Sequence, residues 1–277
     1  MDFLYRGTPT TEAALPILTA AKVPLVATVT GAQSLHEPFN RYVFHVRAKY
    51  QAEAGKIIEQ LTSLGMTKIA VIYANDSFGK DGLMGVKSGL SKHGLNPVVE
   101  VSFDNKNSVY GDAFKLVAAA APQAVVIIAS AKSASECIKQ TRKLGVDPQF
   151  VTLSINSSQS FVKEMGTDGR GVGVTTVMPY PWSAGTAIVK EYRETLKQAK
   201  IDTISYLSLE GFISAKVLVE GLKRAGPNIT REKFIVAMET LHDYDLGGFH
   251  VSYAPDDRDG SRFIEVTVIG QEGKFLR

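Results

Sequence analysis

The residues best suited to do chemistry in this chain are hydroxyls and amides gathered where short apolar runs end. Six such ends share the character: LYRGTPTT (4–11), VATVTGAQS (26–34), YANDSFGKD (73–81), ASAKSASE (129–136), LSINSSQS (153–160) and VMPYPWSAG (177–185). Together they are rich in Thr, Ser and Asn, with Phe78, Tyr180 and Trp182 interspersed. Hydroxyls and free backbone N–H groups at a helix start suit a carboxylate, and aromatic rings enclose an apolar body. A plainer reading stands beside this one: the same residue types are ordinary helix N-caps, and Thr10 and Ser133 fit that role. Bond-breaking constellations are absent from the sequence. It has no G-x-S-x-G elbow, no G-x-x-x-x-G-K-[ST] phosphate loop and no H-E-x-x-H. GRGVGV (169–174) leads into a strand, so it reads as a turn and not a dinucleotide fingerprint. The five histidines, at 36, 45, 93, 242 and 250, lack metal-ligand spacing, and His45 reads as packed within a strand. Neither an enzyme nor a resident cofactor or metal is expected.

The elements that must position those ends follow from periodicity. VPLVAT (23–28), YVFHV (42–46), KIAVIYA (68–74), PVVEVSF (97–103), AVVIIAS (124–130), QFVTLS (149–154) and VGVTTVM (172–178) read as strands. Amphipathic stretches at about 50–64, 79–94, 111–121 and 133–145 read as the helices between them, several ending in glycine where a left-handed cap is needed. Apolar strands separated by such helices predict a mostly parallel sheet covered on both faces. From 184 the pattern changes to successive helices at about 184–199, 205–225 and 230–241. Antiparallel strands around the turn-like DDRDG and QEGK are expected after them.

The bulk numbers agree with two α/β lobes whose chain crosses between them more than once. The length of 277 residues suits two lobes or one large domain, and 44% hydrophobic with 21% charged residues excludes global disorder. A net charge of +3 without a basic block or arm is no nucleic-acid signature. The longest apolar stretch (113–131) is broken by Lys115, Pro122 and Gln123 and reads as helix, turn and strand, not as a membrane span. The single cysteine, Cys137, permits no internal disulfide and reads as a buried, inert thiol on a helix.

In this order the segments resemble the type I periplasmic solute-binding proteins of ABC transporters, nearest to the leucine/isoleucine/valine-binding (branched-chain amino acid) branch. The resemblance runs from residue 5 to the C-terminus. GTPTTEAALPIL, AKVPLVATVTGAQSLHEPFNRYVFHVRAKY, KIAVIYANDSFGKDGLMGVKSGLSKHGL, VVIIASAKSASECIKQTRKLG, VMPYPWSA, SLEGFISAKVLVEGLKRAG and LGGFHVSYAPDDRDGSRFIEVTVI carry it. It implies two doubly wound, Rossmann-like lobes closing on a ligand in a cleft. On that basis residues 1–49 and about 226–262 form lobe 1, and about 50–225 with 263–277 form lobe 2.

The resemblance also implies site residues. Thr8 and Thr10 would meet the ligand's carboxylate, with backbone and hydroxyl contacts from Val29, Thr30 and Gly31. The second lobe would add Tyr180, with Tyr206 and Glu210 from the start of the following long helix, Glu210 either as the partner of an ammonium group or as a solvated or structural carboxylate. Asn75, Asp76 and Phe78 would face the same cleft. Where some members carry a tyrosine, this chain has Ser130, Ala131 and Lys132, and Lys132 favours a ligand with a second acidic group.

What the resemblance implies for function is a component that binds an amino acid or other small carboxylate and presents it to an ABC transporter permease, without nucleic acid and as a monomer. Members of the family begin with a signal peptide and further βα units. No signal peptide is visible here, and since a βαβ unit takes roughly 30 residues, on the order of 100 residues of the first lobe are expected upstream. The full-length protein would be periplasmic. Two rivals remain at this stage: a ligand-sensing receptor or regulator module of the same fold, and a truncated fragment without function.

Overall fold

The computed structural model describes residues 1–104, 110 and 112–277. The chain opens with β1 (Asp2–Phe3), α1 (Thr8–Ala20), β2 (Leu25–Val26) and β3 (Val43–Phe44). The strands form a parallel sheet in the order β1-β2-β3. They are shorter than the apolar runs around them because Leu4 and Ala27 turn to positive φ. The ladder nonetheless continues irregularly, with the Ala27 amide donating to the Phe44 carbonyl and Val29 to Tyr5.

The next stretch carries α2 (Tyr50–Ser63), β4 (Ile69–Ala74), α3 (Ser77–Ser91), β5 (Val99–Phe103), α4 (Ala113–Ala120), β6 (Ala124–Ile128), α5 (Ala131–Lys143), β7 (Gln149–Thr152), α6 (Gln159–Met165) and β8 (Gly173–Thr176). Three helices (α7, Ala187–Gln198; α8, Tyr206–Ala225; α9, Arg231–Glu239) and a hairpin (β9, Tyr244–Asp245; β10, His250–Val251) follow. The chain ends in β11 (Glu265–Ile269) and β12 (Phe275–Leu276). The largest sheet has the order β12-β11-β8-β7-β6-β4-β5, parallel from β5 to β8, with β11 antiparallel to both its neighbours. All five residues of β6 are buried, as expected of a central parallel strand with helices on both faces.

Two compact units result: unit 1 is Met1–Lys49 with Val177–Phe263, and unit 2 is Tyr50–Thr176 with Ile264–Arg277. This corrects the sequence-based division, which kept residues 177–225 in the second lobe. The physical reason lies in α8, whose buried Leu209, Ile213 and Val217 belong to the core of unit 1, and which packs closely on α9. A Cβ on Gly221 would meet Met238 and Phe234 of α9.

Several boundaries also move. α3 begins at Ser77, not 79, because the Asp76 carboxylate caps it by accepting from the Gly79 amide at 2.9 Å. The expected start of α4 at 111 lies outside the described residues. α6, to which no sequence pattern was assigned, is a seven-residue helix started by Ser158, whose hydroxyl accepts from the Phe161 amide. Seven residues are too few for an apolar period to register. Among the described residues, no helix is long and apolar enough to cross a membrane.

In unit 2 the α2–α3 contact passes over Gly85 and Gly89 of α3, and is tighter at Gly85. A Cβ on Gly85 would lie 2.6 Å from the Gln51 Cα, whereas one on Gly55 would meet nothing within 4 Å. Gly85→Ala should therefore cost about 1–3 kcal/mol as the helices are pushed apart. Gly55→Ala should be neutral or stabilise by up to about 1 kcal/mol through helix propensity. Urea unfolding of both variants tests this, and equal midpoints would contradict the close approach.

Candidate functional site

Parallel strands joined by helices deliver their following loops to one edge, and in unit 1 that edge carries a connected set of polar and aromatic side chains. After β1 the chain turns into α1 at Gly7, whose φ of 89° is the conformation glycine tolerates best. Gly7 offers no side chain to cap the helix and Pro9 has no N–H, so the amides of Thr8 and Thr10 are the donors at this end. The Thr8 hydroxyl lies 2.7 Å from that of Thr30, which follows β2, and both residues are buried. Two hydroxyls that share one hydrogen bond keep one proton to offer an acceptor. Helix dipole, amides and hydroxyl together favour an anion.

Thr10, expected beside Thr8, is exposed, and the buried threonine of this turn is Thr11, whose hydroxyl donates to the Gly7 carbonyl at 2.8 Å. The Val29 amide is committed to the Tyr5 carbonyl, and Gly31 is buried beside Thr30.

Moving along the edge, the Thr28 hydroxyl lies 3.0 Å from His45 Nδ1, and the His45 ring stacks on His36 with centroids 3.6 Å apart. Burial, reinforced by the neighbouring His36, holds His45 well below the usual histidine range, so its ring is neutral. His36 pairs with Asp259, which also takes Lys49 Nζ at 2.7 Å. Burial pushes the Asp259 carboxyl up, but hydrogen bonds from His36 and Lys49 outweigh it and hold the group well below the carboxylate range.

Two residues beyond His45, Arg47 reaches Glu210 of α8 at 3.4 Å, with both side chains almost wholly buried. Of the two readings of Glu210, ammonium partner or structural carboxylate, the pairing with Arg47 favours the second. One turn earlier on α8 is Tyr206, buried against Trp182 (centroids 5.3 Å apart, 83° between planes) and 6.4 Å from Tyr180. Tyr180 and Trp182 are 5.2 Å apart and half-buried. Arg193 fixes their loop by donating to the Trp182 carbonyl at 2.8 Å. Tyr180, Tyr206 and Glu210, expected from the second lobe, therefore belong to unit 1, because 177–225 fold there.

Unit 2 places its expected residues at the switch point of its sheet, where β5 lies on one side of β4 and β6 on the other. Asn75 is exposed and its amide donates to the Phe103 carbonyl. Asp76 serves as the α3 cap. Phe78 sets its ring against Tyr50 at 5.0 Å, and Lys132 stands exposed in the first turn of α5. Cys137 on α5 is buried and its thiol is pushed up by that burial.

Two participants escaped the sequence reading. Trp182 was noticed as an aromatic but not assigned to the site, since only folding brings it to Tyr206. Glu53 on α2 has no exposure at all. It accepts from the Ser154 amide (2.8 Å), the Ser154 hydroxyl (2.9 Å) and the Thr175 hydroxyl (2.5 Å), fixing the loop after β7. A signal existed: Glu53 sits on the apolar stripe of Tyr50, Ala54, Ile57, Ile58 and Leu61, where a carboxylate must find partners.

Comparison with known proteins decides what kind of molecule carries this edge. Residues 3–273 match the periplasmic binding protein family. The chain belongs to that family. Its fold is the type I periplasmic binding protein fold. A substrate-binding periplasmic protein from Ralstonia solanacearum is 34% identical with a TM-score of 0.89, over 99% of this chain and 79% of that one. A possible leucine/isoleucine/valine-binding protein from Rhodopirellula baltica is 26% identical with a TM-score of 0.91, over 99% and 76%. A branched-chain amino acid ABC transporter protein from Thermus thermophilus with bound valine shares the fold at 16% identity and a TM-score of 0.83, over 99% and 76%. A comparison with curated proteins returns no match.

In this periplasmic binding protein the Arg47–Glu210 pair is the testable anchor of the edge. Glu210→Ala strands a buried guanidinium and should cost about 3–5 kcal/mol. The paired change Arg47→Met with Glu210→Leu should recover most of that loss. Denaturant melts decide it; a single variant as stable as the parent would mean the pair anchors nothing.

Proposed function

We propose that the protein is the solute-binding component of an ABC-type uptake system, capturing a small amino acid or related carboxylate and presenting it to a membrane permease. The observation that carries the reading is the buried Thr8–Thr30 hydroxyl pair at the uncapped start of α1, in a chain of the periplasmic binding protein family. Donors converge there on one anionic group, and the half-buried Tyr180 and Trp182 supply apolar surface on the same unit. Support also comes from the Thermus relative of the same fold, whose structure holds valine.

No bond is made or broken in this reading. The threonine hydroxyls bond to each other and not to a base, and His45 is occupied by Thr28 and by the Leu35 carbonyl. The protein works in the periplasm as a monomer. Ligand binding stabilises only those conformations it favours, which is what a permease would recognise.

Thermal melts and calorimetry against amino acids and small carboxylates test the proposal. A ligand at about 100 times its Kd should add roughly 2.7 kcal/mol to the folded state. Thr8→Val, which removes a donor to a charged group, should weaken that ligand by about 1.5–3 kcal/mol, and Tyr180→Ala should also weaken it. A panel without any saturable ligand, or one chemically converted on incubation, would contradict the assignment.

A further inference from the structure

We propose that His45 is a positioning residue for the loop after β2, resting on the proposal above for that loop's part in binding. The hydrogen bonds fix which nitrogen of its ring carries the proton. Nε2 lies 3.1 Å from the Leu35 carbonyl, which can only accept, so Nε2 is the donor. In a neutral ring Nδ1 is then a bare acceptor, and the Thr28 hydroxyl facing it at 3.0 Å must donate. The Thr30 carbonyl lies 3.2 Å from the same hydroxyl oxygen, so the contact that holds Thr28 also sets where Thr30 begins. One rigid imidazole thus ties the turn at Gln33–Leu35 to Thr28 through two different ring atoms.

Burying an imidazole is costly unless both nitrogens find partners, and His45 is 1% exposed. Its own placement does not depend on Thr28. The His45 amide donates to the Arg258 carbonyl at 3.0 Å, and its carbonyl accepts from the Gly260 amide at 3.0 Å and the Tyr253 hydroxyl at 2.7 Å. The ring plane is set by His36, stacked at 3.6 Å with 19° between planes. His36 is itself anchored by Asp259, which Lys49 also holds. Burial first, and His36 second, keep the His45 ring neutral well below the usual histidine range, so its donor and acceptor atoms keep their roles at neutral pH.

The turn that His45 holds leaves the regular ladder at Ala27, whose φ is 59°. Beyond that point the Val29 amide donates to the Tyr5 carbonyl at 2.7 Å, and the Thr30 hydroxyl meets that of Thr8. The Ala32 amide reaches Thr30 Oγ1 at a long 3.4 Å. An apolar side chain at 45 would fill the space and take away the acceptor of a hydroxyl that is 1% exposed. Thr28 would then turn its proton to the Thr30 carbonyl and draw the loop out of register with Thr8.

Two measurements on the whole chain without ligand test the role. Nitrogen NMR of the imidazoles at pH 7.5 should show His45 as the Nε2–H tautomer; the Nδ1–H tautomer or a doubly protonated ring would overturn the proposal. Hydrogen exchange should then find the Val29 and Ala32 amides about tenfold or more faster in His45→Leu, with the α8 amides of the same unit unchanged. His45→Gln, which offers both a donor and an acceptor, should bring them back to within about threefold of the parent. Thr28→Val alone should loosen the same two amides, which reads the contact even if His45→Leu fails to fold. Added to His45→Leu it should contribute little more, since both changes remove one interaction. Unchanged exchange in both variants, loosening spread evenly through unit 1, or a glutamine variant as loose as the leucine one would overturn the role. A panel without a saturable ligand would overturn the proposed function and not these exchange results.

Discussion

The ion pair between Arg47 and Glu210 is the interaction on which the rest of the edge depends. It joins the segment after β3 to the second turn of α8, with almost no exposure on either side. Taking two charges out of water costs several kcal/mol each, and their mutual attraction repays this only with good geometry and further hydrogen bonds. Here it organises a sequence of contacts. Tyr206 lies one turn from Glu210 and carries the Trp182 and Tyr180 rings; His45 lies two residues from Arg47 and reaches Thr28. Thr28 and Thr30 share the loop after β2, and Thr30 meets Thr8 at the start of α1. Loops from three parallel strands thus meet a helix contributed from 160 residues further along.

Unit 2 uses the same device with different chemistry. Glu53 is a buried carboxylate that accepts from a backbone amide and two hydroxyls. Hydrogen bonds to a charged acceptor contribute about 1.5–3 kcal/mol each, and three of them offset much of the desolvation. The outcome is a fixed loop after β7 at the carboxyl edge of the sheet. Glu210 in unit 1 and Glu53 in unit 2 are thus both spent on architecture.

The strands of unit 2 were legible because their apolar runs are long and buried on both faces, as β4 and β6 show. Those of unit 1 were legible as places but not as lengths, because nothing in DFLY (2–5) or VPLVA (23–27) announces the positive φ at Leu4 and Ala27. The turn at Gly7, Thr8 and Thr30 was visible as residue types at strand ends. That Thr11 and not Thr10 is buried follows from the rotation of α1, which a first helical turn does not disclose. The boundary at 225, taken from the resemblance, misplaced 177–225, because the packing of α8 on α9 that puts them in unit 1 is a tertiary contact. The partner of Glu210 could not be read at all, since Arg47 is 163 positions away.

The measurement that tests the central claim most directly is a crystal structure of the protein grown with the carboxylate that raises its melting temperature most. The account predicts a carboxylate oxygen within about 2.5–3.0 Å of the Thr8 or Thr30 hydroxyl. A carboxylate seated elsewhere, for example in the open groove of unit 2 between Lys163, Arg170 and Gln271, would contradict it.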